Sequence, residues 1–484
     1  MLRSHCLQKI QLSLVLLVCL SATVQTQPAA AENISELLEK AIYTEETVGD
    51  LDEAIRVYEK VVAEGKDSLT AAAQAQFRIG TCYAKQGKTE EATAAFQAVI
   101  DNYPQATDLV AKAKSRVPDG PELLPVPWGD GDELHFEMKL ATGLGVGHQV
   151  FRVGKLEKNG RAFWECSAWQ TVTINGMAGK SRVLIDYETF APVESQWKHT
   201  LLGESEATYG KGQVVIKMAS KDEPITLDFD GSVYDNEQGA EMFRRLPLKE
   251  DYKTTVNIIP ILTGVNMPLP LRVTKIETIE VPVGKFECFC LYIDGLNQSF
   301  WISNDEHRYI VRFEAGGVTA DLTEVRQYQP NQSTPLKHER FSATLPPDWY
   351  AYTPSNSEKD QKTKTALIDP EASVSGRIIA APLEVIQGEH GTPREWLESG
   401  LEDNPKKMKD FSLSEQGVES ITLGGRDAAT VVYEFLDKDK PMKARRILLF
   451  GDSSAVDVRF STATDEYDKW QPAFEEILAS LKIE

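Results

Sequence analysis

Residues 274–295, TKIETIEVPVGKFECFCLYIDG, are rich in β-branched and aromatic residues on both sides of Pro282-Val283-Gly284. This pattern reads as strand, tight turn and strand. Residues 300–325, FWISNDEHRYIVRFEAGGVTADLTEV, repeat the device around Asn304–His307. Antiparallel strands in succession, joined by short polar turns, describe the wall of a sheet or barrel able to hold something. Nothing in them describes a reaction.

Upstream, the same period of two begins at Leu134, Phe136, Met138 and Leu140 and continues to about residue 229. Seven or more strands at this spacing predict an antiparallel sheet curled into an open barrel or half-barrel over residues 133–328. One helix interrupts it. Asp235 is placed to cap that helix, Gln238 stands three residues on as its capping-box partner, and the helix runs to Arg245 before Leu246-Pro247.

Residues 34–117 are instead helical, and they repeat. Gly49, Ala54, Tyr58 and Val61 recur 38 residues later as Gly87, Ala92, Phe96 and Val99. Gly80 and Ala92 permit close approach of two helices, with Tyr83 and Phe96 filling the space between them. The copy FRIGTCYAKQGKTEEATAAFQAVIDNYP resembles the tetratricopeptide repeat. In the first copy Ile42 stands where the helix-contact glycine belongs. So few repeats suit either a protein-binding groove, with Tyr83 and Phe96 as binding residues, or a spacer. The proline-rich stretches 118–132 and 329–338 read as linkers.

The turn-centred motifs DYETFAP (186–192), RRLPLKEDY, VPVGKF (281–286) and WISNDEHRYIVRFE resemble those of an uncharacterised family of exported bacterial β-domains. That family is similar to the curled-sheet carriers of lipids and lipoproteins of the cell envelope. The resemblance covers residues 130–327 and brings no catalytic residues. Residues 339–484 open on FSATLPPDW, carry a Gly-Gly-Arg-x-Ala hairpin at 424–428, and close on a helix with Trp470, Phe474, Ile477 and Leu478 on one face. Thr392, Pro393 and Glu395 mark the start of a second helix. This part is similar to the PsbP-like α/β/α sandwich, whose members are mostly non-catalytic accessory or binding proteins.

The chain has 484 residues, long enough for about three cores. Residues 1–31 carry Arg3 and Lys9, an apolar run and Ala29-Ala30-Ala31, and read as a cleaved secretory leader. Cys19 invites a lipid-anchor reading, but branched Val18 stands where lipid-attachment signals take a small residue. No later run reaches the roughly 18 apolar residues of a membrane-spanning helix. With the two basic leader residues removed, the formal charge of −21 becomes −21 − 2 = −23. Such a surface repels nucleic acid.

Four cysteines remain after the leader. Cys288 and Cys290 share a strand face and cannot bond each other, so a bridge from either to Cys166 is left open. No Cys-x-x-Cys pair exists and the histidines are scattered, which argues against zinc. Gly143-Leu-Gly-Val-Gly147 precedes a strand and reads as a hairpin turn, not a dinucleotide fingerprint. The acids Asp228, Asp230, Asp235 and Glu237 lack the spacing of a calcium loop. Trp164, Trp169 and Trp197 suit a cavity wall, but Trp164 and Trp169 must face opposite ways on a regular strand.

The expectation is a multidomain α+β protein: helical hairpin repeats, a central curled antiparallel half-barrel and a C-terminal α/β/α sandwich. It is read as an exported, non-enzymatic binding protein of the bacterial envelope, periplasmic or envelope-associated, without metal or cofactor. The repeats contact a protein partner, and the β-domain holds a lipid or other apolar ligand with Trp164 and Trp197 at its wall. The alternatives are a structural scaffold without ligand, and a hydrolase. A pocket joining His135, His148 or His199 to a carboxylate would favour catalysis, and a buried cluster of ionisable groups in residues 133–328 would count against the binding reading.

Overall fold

A computed structural model describes residues 33–483 except 66–67, 115, 118–119, 174–176, 201–202, 356–360 and 389. The leader expected at 1–31 lies outside the described residues. Helix accounts for about 26% and strand for about 47% of the chain, so the α+β expectation holds with strand dominant. The chain divides into two compact units, Met1–Pro118 and Asp119–Glu484.

The first unit is a run of antiparallel helices, Ile34–Tyr43, Leu51–Glu64, Leu69–Lys85, Thr89–Asn102 and Thr107–Lys114, each packed on the next. Asn33 and Asp50 cap the first two through their side-chain oxygens. A Cβ added at Gly80 would meet the Phe96 ring at 2.8 Å, so the close helix approach read from the repeat is present. A buried polar knot centred on Glu45 ties the first copy to the helix Leu69–Lys85. Glu45 accepts hydrogen bonds from Tyr58 Oη at 2.7 Å, Arg78 Nη1 at 3.0 Å and Lys85 Nζ at 2.7 Å. Burial pushes the Glu45 carboxyl up, but Lys85, Tyr58 and Arg78 together outweigh it and hold it below its ordinary value.

The second unit begins with two meanders. The first comprises β1 (Asp132–Leu140), β2 (Gly145–Lys158), β3 (Arg161–Val172), β4 (Met177–Asp186), β5 (Pro192–His199), β6 (Gly203–Gly210), β7 (Gln213–Met218) and β8 (Ile225–Asp228). The other comprises β9 (Tyr234–Asp235), β10 (Lys253–Ile259), β11 (Met267–Val281), β12 (Gly284–Ile293), β13 (Gln298–Ser303), β14 (Ile310–Ala315) and β15 (Val318–Gln327). Because β1 pairs with both β2 and β15, the meanders fuse into one unclosed 15-stranded sheet. Every pairing in it is antiparallel except β9 with β10. The Pro282–Gly284 turn joins β11 and β12 as read, with Val281 opposite Gly284.

The interrupting helix, Gly239–Arg244 after a 3-10 turn, packs Met242 and Phe243 into a core with Val153, Cys166, Val183 and Leu271. Asp235 and Gln238 form the expected capping box. The stretch 118–132 is less of a linker than its prolines suggest. Trp128 is buried edge-on to Trp164 with ring centroids 6.0 Å apart, and Leu124 N–H donates to Arg245 O at 2.7 Å. The stretch 329–338 also carries structure, since Thr334–Lys337 pairs with Phe341–Leu345.

Of the remaining strands, Thr334–Lys337, Phe341–Leu345 and Lys482–Ile483 form a small three-stranded sheet, and the other seven form a sheet with helix Tyr467–Ser480 on one face and helix Pro393–Leu401 on the other. That is the α/β/α sandwich, and Thr392 and Glu395 make the capping box expected at the second helix. The cysteines Cys82, Cys166, Cys288 and Cys290 are buried free thiols. The bridge left open between Cys166 and Cys288 or Cys290 does not form, because Cys166 packs beneath the helix while the other two pack with Phe136 and Ile310.

Candidate functional site

Strand pairing decides which side chains share a face of the long sheet. Two rows cross β2 to β5 on the face that bears the helix: Gln149, Gln170, Gly179 and His199, and beside it Phe151, Ala168, Ser181 and Trp197. Between these rows and the helix lies a cavity of about 300 Å³. Its far wall includes Phe243 of the helix and Phe300 of β13, with ring centroids 4.9 Å apart.

The helix is held over the cavity by polar bonds at both ends. Asp235 Oδ2 accepts from Tyr209 Oη at 2.6 Å, and Gln238 Nε2 donates to Phe190 O at 3.1 Å. At the other end Arg308 Nη2 donates to Leu246 O at 2.6 Å, and Arg244 Nη2 donates to His307 O at 3.1 Å. Burial, with Glu237 adding, pushes the Asp235 carboxyl up to about 7 despite the Tyr209 bond. Burial likewise pushes Glu241 up to about 7, with the Arg244 charge opposing it.

Of the residues singled out from the sequence, Trp197 lines this cavity and stacks on His199 at 5.1 Å. Trp164 does not reach it. Its ring is fully buried between Trp128 and Tyr187, where it stacks on Tyr187 at 5.2 Å. Trp169 faces the other way, as the period requires. In the helical unit Phe96 is core, against Phe77 at 5.2 Å, and Tyr83 is half-buried with Lys88 Nζ 5.7 Å from its ring.

The opposite face of the sheet holds the arrangement named above as an argument for catalysis. Glu133, His135 and Glu137 alternate on β1, with Arg152 opposite Glu133 and His148 opposite Glu137 on β2. Such positions normally meet water, yet here the sandwich covers them. Tyr350 Oη donates to Glu133 Oε2 at 2.8 Å and Tyr352 Oη to Glu137 Oε1 at 3.1 Å, while Arg152 Nη1 reaches Asp348 at 2.8 Å. Val150, Trp169, Tyr350, Tyr352 and Ile368 form the apolar part of the same seam.

Glu133 is fully buried and also meets Arg326 and His135 Nε2, the latter at 2.7 Å. Burial opposes its charge, but His135, Arg326 and Tyr350 bring the carboxyl down to about 2. Burial, together with the charges of His135 and Arg326, holds His148 well below the ordinary imidazole value. A cleft of about 350 Å³ joins His135, Glu137, His148 and Arg326 to Tyr350 and Tyr352. The ionisable cluster therefore exists, but the fold is not wrapped around it; the cluster is the glue between the sheet and the sandwich. The sequence showed the alternation at 133–137 without showing what would cover it.

Residues 135–323 match the family model described as protein of unknown function (DUF3108). Residues 40–107 match the tetratricopeptide repeat. The DUF3108 segment thus spans nearly the whole long sheet, including both rows of the cavity. No curated protein matches the chain. Among solved structures, the cyanobacterial PsbP (CyanoP) of Synechocystis sp. PCC 6803 is 14% identical, covering 32% of this chain and 95% of its own, with a TM-score of 0.26. LpqN, involved in cell envelope biogenesis of Mycobacterium tuberculosis, is 15% identical over 31% of this chain and 90% of its own, TM-score 0.24. A beta-barrel-like protein of the domain of unknown function DUF1849 from Brucella abortus is 13% identical over 43% of this chain and 100% of its own, TM-score 0.30. Among the described residues no helix is long and apolar enough to cross a membrane.

Proposed function

We propose that this is a non-enzymatic binding protein of the bacterial cell envelope, in which the DUF3108 sheet holds a small ligand and the helical repeats contact a protein partner. The observation that carries the reading is the cavity of about 300 Å³ between the β2–β5 face and the capped helix. Its size falls at the lower end of the range for small-molecule pockets, about 300–1,000 Å³. The leader read at residues 1–31 supports export. Native mass spectrometry of the mature protein purified from its own envelope tests it. A retained small molecule is expected, and its loss on filling the slot with Ala168→Phe would locate it; an empty protein with an unchanged mass would leave scaffolding as the role.

The chain of Glu133, His135 and His148 favours a second reading, acid-base catalysis in the seam cleft. Among the described residues the Thr323 hydroxyl beside this chain is engaged with the His135 carbonyl at 3.1 Å, so it is not set up as a nucleophile. Turnover of any ester or amide that vanished in His148→Phe would restore this reading.

A further inference from the structure

The lining of the DUF3108 cavity specifies its ligand more narrowly than size does. In the row Phe151, Ala168, Ser181, Trp197 two aromatic posts stand three strands apart with small side chains between them, and Gly179 lies in the adjoining row. Three strand spacings make a slot about 14 Å long. Its floor carries the small side chains of Ala168 and Ser181, and its posts are the Phe151 and Trp197 rings, the latter stacked on His199.

Around the slot stand carboxamides: Gln149 and Gln170 on the floor, Gln298 on β13 and Asn236 at the helix start. Gln149 Nε2 is engaged only with Val150 O at 3.3 Å, and Gln170 Nε2 only with Met138 Sδ at 3.7 Å. Each amide can both donate and accept, which complements hydroxyl groups. Gln149 is buried and Gln298 half-buried, so a purely apolar occupant would set these two amides against hydrocarbon, at a cost, while Gln170 and Asn236 are exposed, Asn236 Nδ2 donating to Glu237 at 3.0 Å.

Charge narrows the choice again. Among the described lining residues the charged side chains are Lys180 and Glu237. Lys180 is paired with Trp169 and lays its ammonium 5.7 Å from that ring, so its charge belongs to the other face of the sheet. Burial lowers His199, which disfavours its charged form. The slot therefore offers no cation to a carboxylate or phosphate head, and an unpaired buried anion is heavily penalised.

We infer that the cavity binds a neutral saccharide of one or two pyranose residues, the ring seated on Ala168 and Ser181 between Phe151 and Trp197 with its hydroxyls on the glutamine side chains. This rests on the cavity being a binding site at all, as argued above. The apolar or lipid ligand expected from the sequence is replaced by an uncharged, hydroxyl-rich one.

The test is saturation-transfer NMR and calorimetry on the full mature chain with cellobiose, N,N′-diacetylchitobiose and decanoate. Transfer to sugar ring protons is expected, with none to decanoate. Ser181→Trp should abolish binding by filling the slot, and Gln298→Leu, which leaves the slot open, should weaken it roughly 5- to 10-fold. Far-UV circular dichroism checks that each variant folds. Decanoate binding with both sugars inert overturns the saccharide assignment and keeps the binding reading. Sugar binding indifferent to both folded variants overturns the assignment to this cavity. No binding of any probe, together with an empty native mass spectrum, overturns both.

Discussion

Nδ1 of His135 lies 3.2 Å from Nε2 of His148, and both residues are buried. The other nitrogen of His135 is 2.7 Å from the Glu133 carboxylate, so the two imidazoles continue a chain that starts at a buried charge. His148 Nδ1 has no hydrogen-bond partner, and the ring stacks on Tyr352 of the sandwich at 5.4 Å. The seam disfavours the charged form of His148.

Acid should loosen the seam. His148 is held well below its ordinary value of 6.5, so the closed seam binds fewer protons than the open one. Its stabilising contribution is present above about pH 6.5 and is lost as pH falls below that value. Near-UV circular dichroism during a titration from pH 7.5 to 4.5 should show the aromatic signal of Trp169, Tyr350 and Tyr352 collapsing before the far-UV signal. His148→Phe, which keeps the stack on Tyr352, should flatten that dependence. An identical acid transition in the variant would sink the idea.

Glu133→Gln should destabilise the second unit by about 3 kcal/mol, because it strips the charge that Arg326, His135 and Tyr350 surround while leaving them buried. Urea unfolding followed by tryptophan fluorescence reads it. A loss under 1 kcal/mol would show that the seam is held by its apolar contacts instead.

Glu241→Met should stabilise the protein, and more so at pH 8 than at pH 5. The Glu241 carboxyl is fully buried with Oε2 unpartnered, and it is raised to about 7 from 4.5. A raised acid prefers its proton in the folded state, so its contribution is best below about pH 4.5 and is lost as pH rises through 7. Removing the orphan should gain about 1–3 kcal/mol at pH 8. Thermal unfolding at the two pH values gives the difference directly.

Gly80→Ala should weaken the helical unit. Alanine favours a helix by about 1 kcal/mol, but its Cβ would sit 2.8 Å from the Phe96 ring in a packed contact. Overpacking of about 1–3 kcal/mol then decides the sign. Faster proteolysis within residues 34–117 is the expected readout, and the double variant with Phe96→Leu should recover part of the loss.

Elements whose signals lie within a few residues of one another were readable. The Asp235 and Thr392 capping boxes, the Pro282–Gly284 turn and the opposed faces of Trp164 and Trp169 all follow from local spacing, and the close helix approach at Gly80 follows from the repeat. Misreadings arose where distant chain intervened. Trp128 sits inside a proline-rich stretch that looks like linker, and Trp164 looks like a cavity wall until Trp128 and Tyr187 are seen to close over it.

Backbone periodicity is a short-range property, so strands, helices and their buried stripes are written in the order of residues alone. What covers a stripe is not. Glu133 is held by Tyr350, 217 positions away, and the slot exists because register sets Ala168 beside Ser181 between two aromatic posts. Strand register and the docking of one sheet on another depend on contacts summed over the whole unit, and these alone turned a solvent-facing pattern into a sealed seam and a row of small residues into a cavity.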